Sequence, residues 1–268
     1  AEVEPAHFHH VHLNSTNPDA AIKFYTDNLS ATRLSFRGKE DAAYTERSFI
    51  LVNKVETPPR VGLNTTINHI GWAGKDGPSE YEWLKAQGVE FHTPVTALGQ
   101  NYYMYFYGND REVLEIYTGN QNYRFEHIHL YATDVNATAR WFVEHLGLEG
   151  RGDRPKPTEP GRIWSNGVRV DNVGIVIFDK PDSPEHRLWE DGMKDEFEPT
   201  KGSVIDHFGF SYRDIEPVYE QMKAAGLEIV EEITTKEDTG ITSFFVMGPD
   251  KLLIEIVEEK PIPEGVWE

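Results

Sequence analysis

Apolar and polar positions alternate through "HFHHVHL", His7 to Leu13, and again through "FEHIHLY", Phe125 to Tyr131. Alternation with a period of two predicts half-buried strands. Residues two apart on a strand share a face, so His10 points with His12 and His127 with His129. Helix-period spacing follows each strand. In "NPDAAIKFYTDNL" Asn17 is placed to cap, Pro18 to occupy the first helical position, and Ile22, Tyr25 and Leu29 to share a face. In the second copy Asp134 is the cap candidate, and the spacing predicts a helix near Asn136 to His145.

The two segments are copies of one pattern. His10 and His127, His12 and His129, Leu13 and Leu130, and Leu29 and Leu146 are each 117 residues apart. A second pair of copies follows at a spacing of 138: "INHIGW" with "IDHFGF", His69 with His207, Tyr81 with Tyr219, and Gly88 with Gly226. The helices "SEYEWLKAQG" and "EPVYEQMKAAG" both end at a glycine, which suits a left-handed cap. Strands then run through "YMYFYGNDREVLEIY" and "SFFVMGPDKLLIEIV", with Glu115 and Glu255 at matching places. The chain therefore reads as four copies of strand, helix and several strands, taken as two consecutive pairs. The fold class is α+β rather than doubly wound. We expect a division near Asn120, giving one domain over 1–120 and another over 121–268. The second carries an insertion near 180–202, around "KPDSPEHRLWEDGMKDEFEPTKG", expected to be helical in part.

Composition narrows the partners. With 26 Lys+Arg against 45 Asp+Glu in 268 residues the net charge is −19, which repels phosphate backbones and disfavours nucleic acid. No apolar run is long enough to span a bilayer. The absence of cysteine excludes disulfides and thiolate-held zinc. These features point to a soluble protein with a small-molecule substrate, with a homo-oligomer left open. The chain begins at Ala1 rather than Met, so a cytoplasmic and an exported, periplasmic location are both open.

The chemistry lies in the repeated positions. A carboxylate inside an apolar strand is costly unless it is paired or bound to a cation, and this chain places two, Glu115 and Glu255, at matched sites. Each consecutive pair of copies offers one histidine from its first strand, one from its midpoint strand and one glutamate from its last. That grouping puts His10, His69 and Glu115 together, and His127, His207 and Glu255 together. Two imidazoles and a carboxylate suit a divalent metal and leave positions vacant for water, dioxygen or a substrate oxygen. Fe(II) and Mn(II) are favoured, with Zn(II) and Ni(II) open. His7 and His9 are expected to be solvated.

The motifs "HHVHLNSTNPDAAIKFYTDNL", "NHIGW", "GNDREVLEI", "EHIHLYATDVNATARWFVEHLG", "DHFGF" and "GPDKLLIEI" resemble the vicinal oxygen chelate superfamily, the glyoxalase, bleomycin-resistance and extradiol-dioxygenase group. The resemblance spans nearly the whole chain outside the insertion. It implies four βαβββ modules paired into two half-barrel domains around metal sites. It also implies ligands at His10, His69, Glu115, His127, His207 and Glu255. His12 and His129, one pleat beyond the first-strand ligand, fall where that group often places a substrate-contacting residue, and a neutral imidazole there suits a general acid or base. Tyr105 falls where ring-opening dioxygenases carry an acidic tyrosine; Phe245 stands at the same place in the other half. The extra histidine of those enzymes is missing from its usual region. The fourth, glutamate ligand of glyoxalases is missing from "RSFILVN" and "VGIVIF". The leading expectation is an extradiol-type dioxygenase, followed by a glyoxalase-like lyase or isomerase acting through an enediolate. A non-catalytic drug-binding protein is third, and two complete ligand sets count against it.

Overall fold

The computed structural model describes residues 3–38, 40–119, 123–159 and 161–259. The first module consists of β1 (His7–Ser15), α1 (Pro18–Asn28), β2 (Thr32–Phe36), β3 (Glu40–Thr45) and β4 (Ser48–Lys54). The second consists of β5 (Ile67–Gly74), α2 (Gly77–Ala86), β6 (Phe91–Leu98), β7 (Asn101–Tyr107) and β8 (Val113–Thr118). The third has β9 (Arg124–Ala132), α3 (Val135–Leu146), β10 (Glu149–Gly150), β11 (Ser165–Val170) and β12 (Val173–Asp179). The fourth has β13 (Ile205–Tyr212), α4 (Glu216–Ala224), β14 (Ile229–Thr235), β15 (Thr242–Met247) and β16 (Leu253–Glu258). The order βαβββ thus recurs four times.

Local chemistry sets the helix starts. Asn17 Oδ1 accepts the Ala20 amide at 3.2 Å, and Pro18 opens α1. Asp134 Oδ1 accepts the Asn136 and Ala137 amides at 2.9 Å, starting α3 one residue before the expected position.

The modules combine differently from the consecutive pairs expected from the repeat. One eight-stranded sheet runs β14-β15-β16-β13-β1-β4-β3-β2 and joins the first module to the fourth. The other runs β10-β11-β12-β9-β5-β8-β7-β6 and joins the second to the third. We call them the outer and inner sheets. Chain length supplies a reason. The link between Thr118 and Arg124 can reach only about 20 Å when fully extended. β8 lies beside β5, and β9 pairs antiparallel on the other side of β5. So short a link seats β9 on the sheet that β8 has just completed, which leaves the first and fourth modules to pair through β1 and β13. The division expected near Asn120 falls outside the described residues.

The core lies on the face opposite the histidines. Phe8 packs on Phe125 at 5.6 Å and on Phe210 at 6.0 Å, Trp72 on Phe125 at 5.3 Å, and Tyr25 on Trp72 at 5.6 Å between ring centroids. These rings join both sheets and α1 in one apolar cluster. The insertion differs from expectation. From 180 to 204 it contains no helix, only turns such as His186 N–H to Ser183, Trp189 N–H to His186 and Met193 N–H to Glu190. Pro181 and Pro184 open the segment, and Gly192, at a φ of +96°, breaks the run between Pro184 and Pro199. Its Met193 and Phe197 bury against Tyr131, which roofs one end of the inner sheet.

Candidate metal centres

Side chains of directly paired residues stand on one face of a sheet. One row across the inner sheet therefore reads Thr93, Tyr105, Glu115, Gly71, His127, Gly174, Arg169, Glu149. The matching row of the outer sheet reads Glu231, Phe245, Glu255, Gly209, His10, Phe49, Tyr44, Thr32. His69 and His129 pair directly in the first case, His207 and His12 in the second.

Two cages result. In the inner cage Glu115 Oε2 lies 2.9 Å from both His69 Nε2 and His127 Nε2, and His129 Nδ1 lies 3.2 Å from His69 Nε2. In the outer cage Glu255 Oε2 lies 3.2 Å from both His10 Nε2 and His207 Nε2. The His12 and His207 rings are 4.7 Å apart. In each group of four the candidate donor atoms lie within 4.8 Å of one another, and all eight residues are buried. The six expected ligands therefore converge, but in crossed sets. His10 joins His207 and Glu255, and His127 joins His69 and Glu115, because each sheet combines modules from both halves of the chain. His12 and His129 sit at the cages with them. Tyr105 stands beside Glu115 in the row, with its ring 5.0 Å from that of His69. Tyr103 also lines the space above. His186 is turned instead toward Asp179, at 3.5 Å.

Each cage histidine that pairs with the carboxylate is held by the residue before it. The ladder skips one residue ahead of each: His9, Asn68, Glu126 and Asp206. A bulge re-aims a side chain, and here it brings the extra residue to the ligand's Nδ1. The contacts are His9 Nδ1 to His10 at 2.7 Å, Asn68 Oδ1 to His69 at 2.6 Å, Glu126 Oε2 to His127 at 3.4 Å and Asp206 Oδ1 to His207 at 2.7 Å. A hydrogen bond at Nδ1 fixes the tautomer that leaves Nε2 free to ligate. Strict alternation would point these four residues at the opposite face, so sequence reasoning did not find them. The available signal was a polar residue directly before every one of the four histidines. His9 in particular is not solvated: it is buried, and its Nε2 lies 3.0 Å from Glu259 Oε2. His7, half exposed, pairs with Asp171 at 3.0 Å.

The electrostatics favour anionic carboxylates beside imidazoles of two kinds. Burial lowers His10 to about 3 and lowers His69, which keeps both neutral. Burial also opposes protonation of His127 and His207, but hydrogen bonds to Glu115 and Glu126 raise His127 to about 9, and those to Asp206 and Glu255 raise His207, so a cation would have to displace a proton from each. Burial alone would raise Glu115, but hydrogen bonds from His127 and His69 hold it well below the usual carboxylate range. Glu255 is lowered in the same way by His10 and His207. Burial, reinforced by the neighbouring imidazoles, pushes His12 and His129 well below the ordinary histidine value and keeps them neutral. Burial and the charge of Glu115 raise Tyr105, which stays a protonated donor.

The donor set fits a divalent cation. Metal–nitrogen and metal–oxygen bonds of roughly 2.0–2.2 Å place adjacent ligand atoms about 3 Å apart at right-angled positions, close to the spacing found. Both ring nitrogens of His12 and Nε2 of His129 are buried without a hydrogen-bond partner among the described residues, an expensive arrangement unless something binds there.

The surroundings of the two cages differ. Gly174 beside His127 leaves the inner cage open to a cavity of about 960 Å³, whose wall includes Tyr105, Tyr131, Phe178 and Trp189. Phe49 takes the place of Gly174 beside His10, and the Phe245 ring lies 5.1 Å from that of His207. Phe36, Ala42, Leu51, Ile241 and Val257 form an apolar cluster on the outer sheet.

Paired βαβββ modules closing around buried histidines and a glutamate define a vicinal-oxygen-chelate protein. The family model of the Glyoxalase/Bleomycin resistance protein/Dioxygenase superfamily matches residues 124–256, within the third and fourth modules. Glyoxalase I from Zea mays shares the fold with a TM-score of 0.74 at 13% identity, over 94% of this chain and 92% of that one. A putative dioxygenase from Bacillus subtilis does so with a TM-score of 0.66 at 12% identity, over 96% of this chain and 86% of that one. No curated protein matches the sequence. No helix among the described residues is long and apolar enough to cross a membrane.

Proposed function

We propose that the chain is a metal-dependent enzyme acting on an oxygen-rich organic substrate at the inner cage, and that its reaction is the ring-opening dioxygenation of a catechol-like diol. The observation that carries this reading is the open inner cage: His69, His127 and Glu115 beneath a cavity, with Tyr105 beside the carboxylate. A divalent metal, Fe(II) or Mn(II) in preference to Zn(II) or Ni(II), would supply Lewis acidity and vacant positions for two adjacent substrate oxygens and dioxygen. The unpartnered Nε2 of His129 supports a role for it in accepting a proton from the diol. Tyr105 is placed to donate a hydrogen bond to a developing oxyanion.

A lyase or isomerase of the glyoxalase kind is the second reading. The same His129, with an unpartnered Nε2, is a suitable carrier for moving a proton between adjacent carbons. Oxygen uptake separates the two. Protein loaded anaerobically with Fe(II) should consume dioxygen in proportion to catechol converted. Conversion of a 2-oxoaldehyde hemithioacetal with no uptake on any catechol would replace the first reading with the second.

A further inference from the structure

We infer that the substrate of the inner cage is an aromatic acid, bound with its carboxylate against a wall formed by Arg151, Arg169 and Arg187. The inference rests on the reading of the inner cage as the substrate site and adds the chemistry of the far end of the molecule.

The first observation is the state of the arginines. In a chain of net charge −19 a guanidinium has many carboxylates to choose from. Apart from Arg154, every arginine outside this wall lies within ion-pair distance of an Asp or Glu. Arg151, Arg169 and Arg187 have no ion-pair partner among the described residues, and all three line the cavity. Carboxylates are present there too. Glu190 is engaged by His92 at 3.5 Å. Glu149 is the cross-strand neighbour of Arg169 without forming an ion pair with it. Three exposed guanidiniums without an ion-pair partner on the wall of one cavity favour an anion there, and the planar fork of arginine suits a carboxylate.

The second observation is register. Arg169 shares its row with His127, separated only by Gly174. With no side chain between them, the guanidinium and the cage face the same space. Two strand spacings put their backbones about 10 Å apart, within reach of one aromatic acid held at both ends. The third observation is the wall between them. Tyr105, Tyr131, Phe178 and Trp189 offer aromatic faces, and the volume of 960 Å³ lies at the upper end of the roughly 300–1,000 Å³ of ligand pockets.

The test uses matched probes on Mn(II)-loaded protein under argon, with binding followed by calorimetry: 3,4-dihydroxybenzoic acid and the corresponding carboxamide. The wild type should bind the acid at least tenfold more tightly than the amide. Arg169→Gln should reduce that preference, and the triple variant Arg151→Gln/Arg169→Gln/Arg187→Gln should abolish it, with amide affinity and bound metal unchanged. Equal affinity for acid and amide in the wild type, or a preference that survives the triple variant, overturns the inference. His127→Ala separates this inference from the reading beneath it. Weaker binding of acid and amide alike supports the cage as the diol site. An unchanged amide affinity with the arginine-dependent preference intact removes the diol from the cage while the anion wall stands.

Discussion

His127 Nε2 lies 2.9 Å from Glu115 Oε2 although the two belong to different modules and β5 runs between their strands. Gly71 makes this approach feasible. It stands between them in the row, and a Cβ built on it would fall 2.0 Å from His127 Cε1. The ring of His127 occupies the space that any other residue would fill. Gly209 does the same for His10, where a Cβ would fall 2.3 Å from the ring.

Gly71→Ala should therefore empty the inner cage and Gly209→Ala the outer one, each by displacing a ligand ring rather than by removing a ligand. Metal analysis of the purified variants checks this. Each should bind about half the metal of the wild type with the fold intact by circular dichroism. Full occupancy in either variant would show that the ring overlying that glycine does not ligate.

The crossed sets make a second prediction sharper than single deletions can. His69→Ala and His207→Ala should each halve bound metal. In pairs, His10→Ala/His207→Ala removes two ligands from one cage and should leave the inner metal in place. His10→Ala/His69→Ala strikes both cages and should leave almost none. The consecutive grouping gives the opposite result for these pairs, so metal stoichiometry of the two double variants decides between the arrangements.

The sequence carried the modules and the six residues that converge in the cages because both are local. Alternation, caps and the 117- and 138-residue spacings are visible in short windows. It did not carry which modules share a sheet. The residues at β1 and β9 are near copies, so the pairing of His10 with Gly209 rather than Gly71 is decided by the short Thr118–Arg124 link and not by the motif. Nor did alternation reveal His9, Asn68, Glu126 and Asp206 at the cages, since each bulge adds one residue that a period of two does not count. The difference between the two cages at Gly174 and Phe49 was written in the sequence, but only the strand register shows that the two positions correspond.

Gly174→Phe should set a ring beside His127 as Phe49 stands beside His10. A Cβ at this position meets its nearest neighbour, His127 Cβ, at 3.7 Å, ordinary van der Waals contact, so the backbone tolerates a side chain. The ring would then project into the cavity. Bound metal should stay at the wild-type level while turnover of a catechol falls by about 100-fold or more. Steady-state oxygen uptake beside metal analysis reads both quantities. Undiminished turnover would relocate the chemistry away from this cavity.

Tyr105→Phe removes one hydroxyl and leaves the ring against His69. If Tyr105 donates to the reacting oxygen, kcat should fall by about 100-fold, in the range of acid–base and oxyanion contributions. KM and metal content should stay near the wild type. The outer cage already holds Phe245 at the corresponding place. An equal loss in kcat and in bound metal would assign Tyr105 to holding Glu115 instead.

Glu112 gives a pH dependence that does not involve the cages. It is buried in the turn between β7 and β8, accepts the Tyr25 hydroxyl of α1 at 2.7 Å, and has its pKa raised by burial from 4.5 to about 7. A carboxyl whose folded pKa exceeds its unfolded one binds protons more tightly in the native state. Its contribution is then fully present below the unfolded value and declines as pH rises through the folded one. Between pH 4.5 and about 7 the native state should lose up to about 3 kcal/mol from this group, at 1.36 kcal/mol for each unit. Glu112→Gln keeps an acceptor for Tyr25 and removes the titration. Urea unfolding of the wild type and the variant, both stripped of metal, should show the wild type losing ground to the variant as pH rises from 5 to 8. A difference that stays flat across that range would mean that Glu112 is ionised throughout and that Tyr25 holds a carboxylate instead of an acid.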